Sequence, residues 1–175
     1  MYRSGRALDR VLLLKIGRGL YARTDYPGDS ERQIALACKG VPAGVVCLES
    51  AAKYHGLFPF ESASIWMAVD SKAKKPVVDG LNLCFVRFSG DALTQGIVNT
   101  KIDGVPVRIY SAAKTVTDCL KQRRTIGSDR AAQILRESIA GKKCSKQRLR
   151  YSAKICRVYK LIHVAYSSAD PSAVS

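Results

Sequence analysis

The segment from Ile102 to Leu120, IDGVPVRIYSAAKTVTDCL, constrains the fold most because it holds a turn, a strand and a helix start in direct succession. Asp103-Gly104 between apolar residues is a strong signal for a two-residue hairpin turn. The residues after this turn alternate between apolar and polar, which predicts a strand with one buried face. We expect Pro106 at a sheet edge or at the start of the strand, since proline donates no ladder hydrogen bond.

A helix is predicted directly after this strand. Ser111 is placed as its N-cap, with a hydroxyl that accepts a hydrogen bond from a free backbone N–H of the first turn. Ala113, Val116 and Leu120 share one helical face, which we expect to be buried. A second face is polar. Its members are Lys114, Asp118 and Lys121.

The remaining pattern predicts an α+β fold. Short helices are expected over residues 31–39 and 51–55, and strands over 64–70, 81–88, 97–102 and 105–110. Further helices are expected after residues 112, 128 and 145. The order of these elements favours a small, mostly antiparallel sheet with short helices, followed by a helical C-terminal third.

Basic residues are concentrated at the two ends of the 175-residue chain, whose net charge is +15. Residues 1–24 carry six Lys or Arg against one acid, residues 25–110 carry nine of each, and residues 111–175 carry fourteen against four. So large and segregated an excess favours nucleic acid as a partner, ahead of an acidic membrane. No apolar run approaches the ~20 residues of a membrane span, and we expect no membrane partner.

Residues 8–24 predict a β-hairpin with the sequence Gly-Arg-Gly at its tip. Such a hairpin can lie along a phosphate backbone or reach into a minor groove, and an ordinary surface hairpin is the alternative. The candidate nucleic-acid-binding residues at this end of the chain are Arg10, Lys15 and Arg18.

The predicted last helix carries a basic stripe. Cations recur at spacings of four, four and three residues, opposite a face with Leu149, Cys156 and Tyr159. Like charges at such spacing destabilise a helix, which suggests a phosphate-bearing partner, DNA or RNA, with a merely solvated surface as an equally weighted alternative. The second set of candidate nucleic-acid-binding residues is Arg123, Arg124, Lys146, Arg150, Lys154 and Arg157.

No motif for catalysis, cofactor binding or metal binding stands out. The chain lacks a P-loop, G-x-G-x-x-G, H-E-x-x-H and G-x-S-x-G, and its acids are dispersed. Its six cysteines are scattered without a C-x-x-C pair, which favours small buried side chains over disulfides. A zinc site assembled from distant positions stays open. His55 has no nearby nucleophile motif and is predicted to be structural. We expect no enzymatic activity, no cofactor and no metal.

The N-terminus does not match a signal peptide. Its apolar run, VLLL, is shorter than the roughly 7–15 residues of a signal-peptide core, and charge resumes at Lys15. We therefore expect a cytoplasmic protein, in which cysteines stay reduced.

Five segments, in order and at natural spacing, resemble the AbiEi family of antitoxins and transcriptional regulators from type IV toxin–antitoxin and abortive-infection systems. They are GVVCLESAAKYHGL (44–57), SIWMAV (64–69), VRFSGDALTQGI (86–97), IDGVPVRIYSAAKTVTDCLK (102–121) and IGSDRAAQILRE (126–137). The resemblance implies an autorepressor that binds the promoter of its own operon. It also implies neutralisation of a nucleotidyltransferase-like toxin without a stable complex.

The same resemblance divides the chain. Residues 1–26 are expected to be a remnant of a winged helix-turn-helix, because ALDRVLLLKIGRGLYAR (7–23) resembles only the end of the recognition-helix region and the wing. Without the preceding helices a wing cannot dock a recognition helix in the major groove, so we expect impaired DNA reading. Residues 29–166 are expected to form the antitoxin domain and residues 167–175 a disordered tail. The alternative function is a general nucleic-acid-binding module or regulator without antitoxin activity.

Overall fold

The computed structural model describes residues 13–17, 20–23, 30–59, 62, 64–74, 76, 78 and 80–163, with the backbone alone for residues 13–17 and 20–23. The described part is an α+β structure, as the sequence predicts. Its strands are β1 (Leu13–Gly17), β2 (Leu20–Arg23), β3 (Val45–Val46), β4 (Ile65–Asp70), β5 (Leu83–Phe88), β6 (Ile97–Ile102) and β7 (Val105–Tyr110). Its helices are α1 (Ser30–Gly40), α2 (Leu48–Tyr54), α3 (Asp91–Thr94), α4 (Ala112–Lys121), α5 (Arg123–Ile126), α6 (Ser128–Ala140), α7 (Lys146–Cys156) and α8 (159–163).

The central sheet is mixed, and the expectation of a mostly antiparallel sheet is wrong. Its five strands lie in the order β5-β4-β3-β7-β6. Two neighbouring pairs are antiparallel, β3–β4 and β6–β7, and two are parallel, β4–β5 and β3–β7. Residues 71–82 provide the long connection that a parallel β4–β5 pair needs. Alternation of apolar residues marks a strand but carries no information on the direction of its neighbour.

The β6–β7 hairpin confirms the predicted turn. Ile102 pairs with Val105 across Asp103 and Gly104, both of which have positive φ, as a tight two-residue turn requires. Pro106 is the second residue of β7, which agrees with its predicted place at a strand start. Strand β3 pairs with β7 only near Ile109 and does not reach Pro106, so the missing N–H breaks no ladder bond there.

Two hydrophobic cores lie on the two faces of the sheet. On one face, α1 packs with the inward side chains of Val46, Met67 and Ile109. On the other face, Ala68 and Tyr110 pack with residues of α4, α6 and α7. Because both faces are covered, consecutive residues of the central strands are buried, as the continuous apolar run at residues 64–70 predicts.

Helix α4 is buried on all sides, and the burial includes two of the three members of its polar face. The helix packs against α2, α6 and α7, and every residue from Ala113 to Leu120 is buried. Lys114 and Asp118 are each 1% exposed, and Lys121 alone is exposed. The predicted N-cap is confirmed, since the Ser111 hydroxyl accepts from the Lys114 N–H.

The predicted N-terminal hairpin is confirmed as an antiparallel pair of β1 and β2. The winged-helix assignment around it stays a prediction, because residues 1–12 lie outside the described part of the chain. Among the helices that the structure describes, none has the length and apolar character to cross a membrane.

Candidate nucleic-acid interface

The C-terminal basic segment exposes all of its cations. Residues 138–163 contain eight Lys or Arg and no acid. All eight residues are exposed, and they are Lys142, Lys143, Lys146, Arg148, Arg150, Lys154, Arg157 and Lys160. No carboxylate of the segment itself offsets them, so this surface is strongly positive and attracts anionic partners.

Helix α7 holds the centre of this segment in one orientation. The helix begins after Ser145, as predicted, and the hydroxyl of Ser145 caps it by accepting from the Arg148 N–H at 3.3 Å. Leu149, Ala153 and Cys156, spaced by four and three residues, are buried on one face. Lys146, Arg150 and Lys154 therefore point to solvent on another face. We call these three residues the α7 stripe.

A buried polar chain ties α7 to α4. The Cys156 thiol donates to Asp118 Oδ1 at 3.1 Å, and Asp118 Oδ2 lies 2.5 Å from Lys114 Nζ. Burial raises the pKa of Cys156 to about 11, and the adjacent Asp118 carboxylate adds to the effect. Burial also raises the pKa of Asp118, while Lys114 opposes that rise. The protonated thiol is thus a hydrogen-bond donor that fixes α7, and not a nucleophile.

A groove of about 570 Å³ runs along the exposed side of α7. Its lining consists of Lys146, Gln147, Arg150, Tyr151, Lys154 and Tyr159. Tyr151 is 61% exposed and Tyr159 is 37% exposed, so both rings are open to a ligand. Proteins that bind single-stranded nucleic acid combine cations with accessible aromatic rings in the same way.

The predicted place of Arg157 on the helical stripe is wrong. Helix α7 ends at Cys156, and Arg157 takes a left-handed conformation with φ of 59°. The Val158 N–H donates to the Ala153 carbonyl at 2.9 Å, which closes the helix in the manner of a left-handed C-cap. No glycine marks this end in the sequence, so the periodic pattern extended one residue too far. The turn brings Tyr159 of α8 to the groove.

The other predicted binding residues are not among those that line this groove. Arg123 donates from Nη1 to the Leu120 carbonyl at 3.1 Å and so closes the C-terminal end of α4. Arg124 is exposed beside it on α5. Lys15 lies in β1 opposite Tyr21, and its side chain is outside the described residues, as are Arg10 and Arg18.

Sequence reasoning missed the tyrosines of the groove. It placed Tyr159 on the apolar face of α7 and assigned no role to Tyr151, because neither lies in a known aromatic RNA-binding motif. A usable signal was present, since both tyrosines fall in the acid-free stretch and next to basic residues. Tyr151 precedes Lys154 by three residues, a spacing that places the two side chains next to each other on a helix.

Other candidate chemistry finds no support in the described residues. No group of three or more His, Cys, Asp or Glu there is arranged to hold a metal ion. All six cysteines are free, and four of them are buried, as predicted for small hydrophobic side chains. His55 Nε2 donates to the Tyr110 carbonyl at 2.7 Å, in line with the predicted structural role. Burial, above all, lowers the pKa of His55.

No protein-family model matches this chain, and no curated protein matches it significantly. The resemblance to AbiEi proteins therefore stays a prediction. The arrangement of the resembling segments in the structure is the observation that bears on it.

Proposed function

We propose that this chain is an antitoxin of the AbiEi kind. It would neutralise a nucleotidyltransferase-like toxin without a stable complex, and it would contact nucleic acid through the groove along α7. The observation that carries the proposal is that all five resembling segments are joined to one another by side-chain hydrogen bonds. The segments therefore belong to one packed unit, as the resemblance to a single antitoxin domain requires.

The first two contacts meet at Glu49, in segment 44–57. Its Oε1 accepts from Arg130 Nη1 of segment 126–137 at 2.7 Å. Its Oε2 accepts from Trp66 Nε1 of segment 64–69 at 3.3 Å. Glu49 is 4% exposed, and a carboxylate so buried is retained only where donors satisfy it.

The other two contacts meet at Tyr110, in segment 102–121. Its carbonyl accepts from His55 of segment 44–57, and its hydroxyl donates to the Leu93 carbonyl of segment 86–97 at 2.7 Å. Tyr110 is fully buried, so both polar groups need these partners. The motifs of the resemblance thus specify each other's positions.

The test is rescue of growth. The chain is co-expressed with the nucleotidyltransferase-like toxin that the proposal assigns to it, and survival is scored together with co-purification. We expect survival without co-purification. Death of cells that contain folded protein would contradict the proposal.

The role of the α7 stripe is tested in the same assay. We expect the triple change Lys146→Gln, Arg150→Gln and Lys154→Gln to weaken rescue. The matched control removes the same charge from exposed residues of the middle region, through Lys72→Gln, Lys74→Gln and Lys101→Gln, and should rescue like the parent. Equal rescue by both variants would show that the α7 stripe is only a solvated surface.

The groove also favours a second candidate, a nucleic-acid-binding module or regulator without antitoxin activity. Three phosphate contacts from the α7 stripe should contribute about 2–3 to the slope of log affinity against log salt for duplex DNA. Titration of promoter and random duplexes at several salt concentrations measures this slope. Affinity without rescue of growth would favour the module over the antitoxin.

A further inference from the structure

Large apolar side chains are exposed in one region above all. Among the residues that the structure describes, those with substantial exposure are Val98, Tyr151, Tyr159 and Leu161, and the last three belong to α7 and α8. Two of these three are tyrosines that line the groove beside the α7 stripe. Exposure of an apolar ring to water is unfavourable in free energy. The concentration of such rings at the most basic surface therefore indicates a ligand that carries both phosphate groups and apolar faces.

The tyrosines stand at two places along the groove. Tyr151 follows the middle cation of the stripe and also lines the neighbouring cavity of about 520 Å³, between α7 and the start of α4. Tyr159 lies past the C-terminal turn of α7, with its ring centroid 6.3 Å from that of His163. A chain laid along the groove therefore meets an aromatic ring at each of the two places, together with the cations of the α7 stripe.

We propose that this groove binds a single-stranded nucleic acid. Its phosphates would contact the α7 stripe, and its unpaired bases would stack on Tyr151 and Tyr159. This inference rests on the nucleic-acid-binding part of the proposed function. It narrows the ligand because bases in a duplex are stacked on each other and offer no face to a protein ring, whereas unpaired bases do.

A protein partner fits the groove less well. Aromatic residues are common in protein interfaces, but lysine is depleted from their cores and charged residues are confined to the rim. Here two tyrosines, one on α7 and one on α8, line the same groove as the three cations of the α7 stripe, and eight cations occur without an acid in the surrounding stretch. Aromatic and basic residues in one groove match a strand whose bases and phosphates alternate along its length.

The experiment measures fluorescence anisotropy of the full chain with labelled 12-nucleotide probes. The probes are oligouridylate, oligodeoxythymidylate and a blunt duplex, and inorganic polyphosphate serves as a competitor without bases. We expect either single strand to bind at least tenfold more tightly than the duplex. We expect polyphosphate to compete weakly.

Variants separate stacking from charge. Tyr151→Ala removes the ring on which one base stacks. We therefore expect it to weaken single-strand binding about 5- to 100-fold and to leave duplex binding unchanged. Tyr151→Phe keeps the ring and should bind like the parent. Leu161→Ala is the matched control, because it removes an exposed apolar side chain that does not line the groove. Circular dichroism checks that each variant is folded.

The outcomes distinguish failure of this inference from failure of the proposed function on which it rests. Equal binding of single strands and duplex, with no effect of Tyr151→Ala, overturns the inference and leaves nucleic-acid binding through phosphates intact. Competition by polyphosphate as strong as that by unlabelled oligonucleotide overturns it as well. If no probe binds at physiological salt, the nucleic-acid-binding part of the proposed function fails together with the inference.

Discussion

Lys114 Nζ lies 2.5 Å from Asp118 Oδ2, and both side chains are 1% exposed. The ammonium group also faces two aromatic rings, with its nitrogen 4.2 Å from the Tyr110 centroid and 4.9 Å from that of Phe88. A charged pair so far from water is stable only while each partner neutralises the other. The position of α4 in the core therefore depends on both residues.

Removal of one partner should be far more damaging than removal of both. Lys114→Met leaves Asp118 buried without a cation, and we expect the free energy of unfolding to fall by about 3–5 kcal/mol. The double variant Lys114→Met with Asp118→Leu should lose clearly less, because no buried charge remains. Urea unfolding measures both values.

The control for this pair is Lys121→Met, at the exposed end of the same helix. A surface change of this kind alters stability by about 0.5 kcal/mol or less. If Lys114→Met were no worse than Lys121→Met, the pair would not be the buried interaction described here.

Stability should also depend on the charge of His55. Burial lowers its pKa, so the unfolded chain, with an ordinary histidine pKa near ~6.5, binds the proton at higher pH than the folded chain does. The stability that neutral His55 contributes is complete above that value and is lost as pH falls through the pKa of the folded state. We expect urea midpoints to decrease between pH 7.5 and pH 5.

His55→Gln tests the source of this dependence. Glutamine keeps an N–H donor for the Tyr110 carbonyl but does not titrate, so its urea midpoint should change less over the same pH range. His163→Gln is the matched control, since it replaces the other histidine of the chain and leaves His55 in place. A slope that is equally steep in all three proteins would assign the pH dependence to other groups.

Two glycines with the same backbone angle should differ in their response to alanine. Gly96 and Gly104 both have φ of +76°. A Cβ at Gly104 meets nothing within 4 Å, whereas a Cβ at Gly96 would lie 2.9 Å from Lys114 Cβ. Gly104→Ala should lose about 1–2 kcal/mol from the left-handed backbone alone. Gly96→Ala should lose about 1–3 kcal/mol more from overpacking, as measured by urea unfolding. Equal losses would show that β6 moves away from α4 without cost.

The sequence predicts those parts of the fold that rest on neighbouring residues. The Asp103-Gly104 turn and the Ser111 cap involve atoms only a few residues apart, and both are confirmed. The parallel pairing of β4 with β5 depends on where a long connection returns, and no periodicity encodes that. In the same way, Lys114 and Asp118 look like a polar helical face until α2, α6 and α7 cover it.

The positive charge of the candidate site could be predicted from the sequence, but the shape of its groove could not. The basic stripe follows from helical spacing, and three of its four residues lie on α7 as expected. Arg157 does not, because a left-handed cap without glycine leaves no mark in the sequence. Tyr159 lines the groove only because that cap redirects the chain, so the aromatic half of the site depends on tertiary structure.

The cysteines give a final prediction, on reactivity. Iodoacetamide at pH 8 should modify only Cys84 and Cys144 of the folded chain, since these two are partly exposed and the other four are buried. Burial raises the pKa of Cys144, so its modification should be slow. Cys156 should stay unmodified for two reasons, its burial and a pKa of about 11 that leaves little thiolate at pH 8. Mass spectrometry after digestion identifies each site.

In urea all six cysteines should react, because all six are free thiols. A pair that stays unmodified in urea would reveal a disulfide, and rapid native modification of Cys156 would show that α7 separates from α4.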